Sequence, residues 1–117
     1  MEQRNIFLDD VRPSPDDHIL VTTAEDCILM LQENKPVSHL SLDHDLGSNN
    51  KNGFEVVLYL LENKQFPERI TIHSANAPAG KKMYNHLLDA KEAGILPTHV
   101  KVLHRPLPLR FSQVSTK

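Results

Sequence analysis

The sequence of 117 residues contains a single cysteine, Cys27, so it cannot form an internal disulfide. This favours a reducing compartment, and Cys27 is expected to be a small core residue of a helix. No apolar run approaches the roughly 18 residues that span a membrane, and the first residues lack the apolar segment of a signal peptide. The 13 basic and 15 acidic residues leave a formal net charge of −2, which argues against an extended nucleic-acid surface. We therefore expect a soluble, cytoplasmic domain.

Several motifs of nucleotide and ester chemistry are also absent. The chain contains neither G-x-x-x-x-G-K-[ST] nor G-x-G-x-x-G, so binding of a nucleoside triphosphate or a dinucleotide loses its main support. It lacks the G-x-S-x-G elbow of serine hydrolases. Two-histidine phosphoesterases need a pair of H-x-[ST] motifs, and only His39-Leu40-Ser41 fits.

The pattern that is present alternates strands with helices. Such alternation predicts a parallel sheet, and we expect a flavodoxin-like α/β fold with five strands in the order 2-1-3-4-5. The first crossover helix is expected to be reduced to a proline-rich loop at 11–18, which would leave one sheet face thin. We expect a single domain at 1–111 and a disordered tail at 112–117. The predicted strands are 5–8, 19–21, a run ending at Leu42, 69–73 and 99–103.

Three helices are predicted between these strands. Thr22 or Thr23 can cap the first, and the second begins near Asn52 or Gly53. Asn76-Ala77-Pro78 can open the third, which runs to Gly94. In the second helix, the spacing of four apolar residues predicts the stripe that packs on the sheet: Phe54, Val57, Leu58 and Leu61.

Carboxylates follow two of the predicted strands. The run 39–47 is apolar until it ends in Asp43 and Asp45, and Asp9-Asp10 follows the first strand. Parallel strands bring their carboxyl ends to one sheet edge, so these groups would repel one another unless a cation relieves them. Oxygen ligands of this type suit Mg²⁺ or Mn²⁺. Taken alone, Asp9-Asp10 could equally be a solvated turn.

Histidines accompany these carboxylates. His44 and His73 flank the predicted metal site, and imidazole is the usual proton donor or acceptor near neutral pH. His104 ends the neighbouring strand and is a further candidate for the site. The remaining histidines are expected to be packing or surface residues: His18, His39, His86 and His99.

A phosphate site is predicted beside the metal site. Ser74, Asn76 and the first amides of the third helix could cradle a phosphate, because a helix amino end offers unpaired donors. Arg105 could add a bidentate contact. The alternative is a helix cap and a surface arginine, with Lys81 and Lys82 as solvated charges.

Taken together, the acidic pair Asp9-Asp10, Asp43, Ser74-Ala75 and Arg105-Pro106 resemble a response-regulator receiver domain. In that family the acidic residues hold Mg²⁺, the strand-end aspartate accepts a phosphoryl group, and a hydroxyl and a lysine contact the phosphate. The resemblance implies that Asp10 and Asp43 bind the metal, with Asp9 in support and Asp45 offering its carbonyl. It also implies that Ser74 offers its hydroxyl, with Arg105 in place of the lysine.

Three motifs are similar to a divergent group, the cyclic-phosphate processing receiver domains. They are Leu-Asp-Asp-x-Arg-x-x-Pro at 8–15, Ser-Leu-Asp-His-Asp-Leu-Gly at 41–47 and Ile-His-Ser-Ala-Asn at 72–76. This resemblance implies processing of cyclic phosphates, such as 2′,3′-cyclic ends on RNA.

Our leading hypothesis is a metal-dependent phosphoesterase for a cyclic phosphate, with His44 and His73 as acid and base. Its partner would be a small phosphate ligand or an RNA end, and no membrane. The alternatives are a signalling domain phosphorylated on Asp43 and a non-catalytic binder of a cyclic nucleotide.

Overall fold

A computed structural model describes residues 4–46 and 51–106 of the protein. Within these ranges, five strands form one parallel sheet in the order β2-β1-β3-β4-β5, which confirms the predicted fold class and strand order. The predicted tail at 112–117 lies outside the described residues. The elements are β1 (Arg4–Leu8), β2 (Ile19–Val21), α1 (Ala24–Gln32), β3 (Val37–Leu42), α2 (Gly53–Asn63), β4 (Arg69–Ser74), α3 (Ala77–Glu92) and β5 (Lys101–Pro106).

The strand order places all three helices on one sheet face. From β2 onward the chain steps in one direction across the sheet, through β3 and β4 to β5. Because crossovers between parallel strands are right-handed, α1, α2 and α3 cover the same face. The step from β1 to β2 runs the other way, and residues 9–18 make it without a helix, as predicted.

The helix-covered face carries the hydrophobic core. Alternate residues of the central strands point into it, and all of them are fully buried: Ile6, Leu8, Leu40, Leu42, Ile70 and Ile72. Cys27 of α1 lies in the same core, as expected, and burial raises the pKa of its thiol to about 12. Among the described residues, no helix is long and apolar enough to cross a membrane.

The predicted stripe of α2 is partly wrong. Val56, Val57 and Leu60 are fully buried, whereas Leu58 is 43% exposed. The apolar residues of this helix lie on most sides of it, so their spacing alone did not predict which side faces the sheet. Gly53 fixes it, because a Cβ at that position would lie 1.9 Å from the carbonyl oxygen of Asp43. Helix α2 therefore begins in contact with the backbone at the end of β3.

Side chains at the helix starts agree with the sequence predictions. Thr23 accepts a hydrogen bond from the amide of Asp26, and Asn52 accepts one from Phe54. Asn76 does the same for Ala79 at the start of α3. The last strand begins two residues later than predicted and continues to Pro106.

The second sheet face, which we call the open face, carries no helix within the described residues. Its side chains alternate with those of the core and are mostly polar. The loop at 9–18 covers only part of this face. The residues of the open face used below are Phe7, His39, Ser41, Arg69, Thr71, His73 and Arg105.

Candidate metal and phosphate site

Three carboxylates converge at the carboxyl edge of the sheet. Leu8 and Leu42 are paired in the β1–β3 ladder, so the residues that follow them, Asp9 and Asp43, are neighbours. Asp10 joins them, and the nearest ligand oxygens of the three residues lie within 4.8 Å of one another. Asp9 and Asp43 are buried, while Asp10 is more exposed. The structure thus brings together three of the four carboxylates predicted from the sequence.

Asp9 is the most strongly anchored of the three. Its Oδ1 accepts hydrogen bonds from the amides of Val11 and Arg12, at 2.8 and 2.9 Å. Its Oδ2 accepts from Nε2 of His73 at 3.0 Å and from the Arg12 guanidinium at 3.2 Å. Burial alone would raise the pKa of Asp9, but these hydrogen bonds, led by that from His73, hold it far below its usual value. Asp9 is therefore ionised and fixed in orientation.

Asp43 has the opposite electrostatic environment. Burial and the nearby charge of Asp9 raise its pKa, and the hydrogen bond from the His44 amide at 2.8 Å only partly offsets them. Its ionised form is therefore disfavoured when no further cation is near. A carboxylate in this situation gains most from a bound cation.

Arg12 supplies one positive charge to this cluster, and the sequence analysis had not assigned it to the site. Its Nη1 lies 3.2 Å from Asp9 and 3.8 Å from Asp43, and its side chain is 27% exposed. The signal was available in the motif at 8–15, where an arginine follows the acidic pair at a fixed spacing. The guanidinium offsets one of the three negative charges and leaves the cluster net negative.

His73 connects the acidic cluster to the open face. Its Nε2 donates to Asp9, and its Nδ1 is hydrogen-bonded to the hydroxyl of Ser41 at 2.6 Å. The ring stacks on Phe7 with 4.4 Å between centroids, and the residue is only 4% exposed. Both ring nitrogens are thus engaged inside the protein. This geometry gives His73 a direct role in holding Asp9.

His44 belongs to a second, more accessible group. Its Nδ1 donates to Asp45 at 2.6 Å, and the amide of Asn76 donates to the same carboxylate at 3.2 and 3.3 Å. No partner of Nε2 occurs within residues 4–46 and 51–106. The carboxylate of Asp45 thus lies outside the three-carboxylate cluster and orients His44. A contact between the backbone carbonyl of Asp45 and the metal stays a prediction.

The predicted phosphate-binding residues fall in different places. Ser74 and Asn76 sit between β4 and α3, where Oγ of Ser74 accepts from the Asn76 amide at 3.0 Å. Arg105 is exposed and lies beside His73 in the β4–β5 ladder, on the open face. His104 points to the other face, where it stacks on Tyr84 at 5.2 Å. The structure does not bring His104 to the acidic cluster, because neighbouring strand residues face opposite sides.

Lys82 is exposed, as a solvated charge would be, and it also lies near His44. The two residues line one shallow depression together with Phe54, Asn76, Pro78 and Ala79. Lys82 therefore places a cation at the amino end of α3, beside the candidate site.

The three-motif pattern and this geometry agree with a comparison against protein families. The family model described as "Cyclic-phosphate processing Receiver domain" matches residues 4–89. The chain belongs to this family. The match includes the acidic cluster, both site histidines and Lys82 of this receiver domain, whereas His104 and Arg105 lie beyond it. Neither the search of curated proteins nor the search of solved structures found a match.

The acidic cluster of this receiver domain could bind a divalent metal. Its donors are hard carboxylate oxygens, which Mg²⁺ and Mn²⁺ prefer. Burial, followed by the nearby charge of Asp9, raises the pKa of Asp43 despite the guanidinium of Arg12. The donor set and its charge therefore fit such an ion.

Proposed function

We propose that this domain is a metal-dependent phosphoesterase that opens a cyclic phosphate, such as a 2′,3′-cyclic end on RNA. The observation that carries the proposal is the meeting of three carboxylates with an accessible histidine at one sheet edge. The family name supplies the class of substrate.

Asp10 and Asp43 would hold the ion, because their carboxylates are the least occupied by protein hydrogen bonds. Asp9 would support them, since its two oxygens already accept four hydrogen bonds. When bound, Mg²⁺ or Mn²⁺ would supply Lewis-acid stabilisation of the phosphate oxygens and favour ionisation of water.

His44 is the group we assign to proton transfer. The reaction forms a bond from water oxygen to phosphorus and breaks the bond from phosphorus to one ribose oxygen. In its neutral form, with Nδ1–H held by Asp45, His44 would offer Nε2 to accept the proton that the water loses. The same proton can then pass to the departing ribose oxygen, which balances the reaction.

His73 was expected to share this acid and base chemistry. Its two ring nitrogens are engaged by Asp9 and Ser41, so we assign it instead to positioning. It keeps Asp9 ionised and oriented, and its loss would act through the carboxylates.

The phosphate would lie at the amino end of α3. Because Asn76 already caps the amide of Ala79, the backbone amides of this helix would contribute little to phosphate binding, and a side-chain cation is needed. Lys82 lines the depression beside His44 and would contact the phosphate oxygens. Ser74 remains a predicted contact of this phosphate, whereas Arg105 lies on the open face beside His73.

Phosphorus NMR on a nucleoside 2′,3′-cyclic phosphate tests the proposal. With Mg²⁺ or Mn²⁺ we expect the cyclic signal to be replaced by that of a phosphomonoester, and Asp43→Asn should abolish the conversion. Lys82→Gln should weaken substrate binding, while Lys81→Gln, its exposed neighbour outside the depression, serves as the matched control. No conversion of any cyclic phosphate with either metal would refute the enzymatic assignment.

A further inference from the structure

A separate cavity of about 310 Å³ lies on the open face. Its size is at the lower end of the range for sites that bind small ligands. It differs from the acidic cluster in charge, because its lining includes three arginines and three histidines and no carboxylate. The lining residues are Phe7, Arg12, Pro15, His18, His39, Ser41, Arg69, Thr71, His73 and Arg105.

Two of these arginines have no anionic partner in the part of the chain that the structure describes. Arg12 is committed to Asp9 and Asp43, but neither Arg69 nor Arg105 makes an ion pair with any residue in 4–46 or 51–106. Both are exposed. The cavity therefore has unneutralised positive charge at its rim, and guanidinium groups bind phosphate in bidentate geometry.

The wall of the cavity is held rigid by a chain of hydrogen bonds. Nδ1 of His18 bonds Asp17 at 2.7 Å, and its Nε2 bonds Nδ1 of His39 at 2.8 Å. Nε2 of His39 then bonds the hydroxyl of Thr71 at 2.7 Å. This wall includes two histidines that the sequence had suggested were packing or surface residues.

His39 contributes dipoles to this wall rather than charge. Burial, followed by the nearby charge of Arg69, lowers the pKa of His39 to about 4. At neutral pH the ring is therefore uncharged, and the positive charge of the cavity comes chiefly from its arginines.

The cavity adjoins the acidic cluster at His73. This residue lines the cavity and also bonds Asp9 of the acidic cluster. In the sheet ladder, Arg105 lies beside His73, and Arg69 lies beside His39. Because Arg69 is four residues from His73 along β4, their backbones are about 13 Å apart. A ligand that spans the two sites would carry anionic groups at both ends.

We propose that this cavity binds a second phosphate of the substrate, through Arg69 and Arg105, while the cyclic phosphate occupies the acidic site. The inference rests on the proposed function and specifies its substrate class as a compound with at least two phosphates. The second phosphate could be the 3′,5′-phosphodiester of an oligoribonucleotide or the 5′-phosphate of a mononucleotide.

Isothermal titration calorimetry with three probes tests this subsite. The probes are uridine 2′,3′-cyclic phosphate, its 5′-phosphorylated form, and a diuridine with a terminal 2′,3′-cyclic phosphate. Each is titrated into the protein with and without Mg²⁺. We expect at least one two-phosphate probe to bind about tenfold or more tightly than the first probe, the effect of one charge-assisted hydrogen bond. The tighter of the two identifies the source of the second phosphate.

The variants then test the assignment to Arg69. Arg69→Gln should remove the gain in affinity, and Arg69→Lys should retain part of it. Lys35→Gln, which removes an exposed cation from a different cavity beside α1, should keep the full gain. Equal affinity for all three probes in the wild type, or an undiminished gain in Arg69→Gln, would overturn the subsite.

Phosphorus NMR of the same mixtures separates this inference from the proposed function. An Arg69-dependent preference for two phosphates without ring opening would support the subsite and refute the phosphoesterase. Ring opening without such a preference would support the phosphoesterase and refute the subsite.

Discussion

Replacing Arg12 by glutamine tests the electrostatics of the acidic cluster. The variant removes a guanidinium that is 3.2 Å from Asp9 and 3.8 Å from Asp43. Asp9 is fully buried, but it keeps its bonds from His73 and two amides. We therefore expect the free energy of unfolding to fall by about 1–3 kcal/mol, which is less than the cost of removing one partner from a fully buried ion pair. For a chain of this length, the melting temperature should fall by roughly 3–15 °C.

The same substitution should strengthen metal binding. An ion held by Asp10 and Asp43 would lie close to the guanidinium, and at about 5 Å a divalent ion and a unit charge repel by about 1.7 kcal/mol even at the dielectric constant of water. Removing that repulsion should tighten Mn²⁺ binding by about tenfold or more. Melts followed by circular dichroism at several Mn²⁺ concentrations should thus show a larger Mn²⁺-induced shift in Arg12→Gln than in the wild type.

Arg4→Gln is the matched control for this experiment. Arg4 also pairs with a carboxylate, that of Glu33 at 3.0 Å, but it lies at the start of β1, away from the cluster. It should lower the melting temperature without altering the Mn²⁺-induced shift. Equal Mn²⁺ shifts in the wild type and Arg12→Gln would refute the idea that the guanidinium and a metal share these carboxylates.

Three further predictions concern the same site. Asp43→Asn should abolish the Mn²⁺-induced shift and raise the metal-free melting temperature at pH 7. Between about pH 6.5 and 4, acidification should destabilise the metal-free wild type less than this variant: the depressed pKa of His39 lowers the stability of both, whereas the raised pKa of Asp43 means that only the wild-type native state takes up a compensating proton. Incubation with acetyl phosphate and Mg²⁺ should leave no lasting adduct by intact mass; an adduct absent from Asp43→Asn would favour the signalling alternative. His44→Ala should lower kcat on a cyclic nucleotide by about 10²- to 10⁴-fold with little change in KM, while the exposed His99→Ala should not; a fully active His44→Ala would exclude our assignment of the base.

Residues at strand ends could be predicted well from the sequence. Asp9 and Asp43 follow apolar runs, and the parallel order of the strands was enough to bring them together. The loop in place of the first crossover helix was equally visible, because prolines at 13 and 15 disfavour a helix there.

Side-chain direction was harder to predict. His104 and Arg105 are adjacent in the sequence and were predicted for one phosphate site, but as neighbouring strand residues they face opposite sides of the sheet. The exposure of Leu58 has a similar origin, since the rotation of α2 depends on the approach of Gly53 to Asp43. Arg12, Lys82 and the His18–His39–Thr71 chain act through contacts between elements distant in the sequence.

The approach of Gly53 to the end of β3 also bears on how this domain can diversify. The amide of Gly53 donates to the carbonyl of His44 at 3.0 Å, so the intervening segment begins and ends at one fixed point. Loop-closure entropy rises slowly, by about 0.6 kcal/mol for each doubling of loop length. Insertions between 46 and 52 that keep the buried Leu46 and the cap residue Asn52 can therefore alter specificity at little cost in stability. Asp43 and the amino end of α2 would keep their places, so specificity could change during evolution without a change in the acidic cluster.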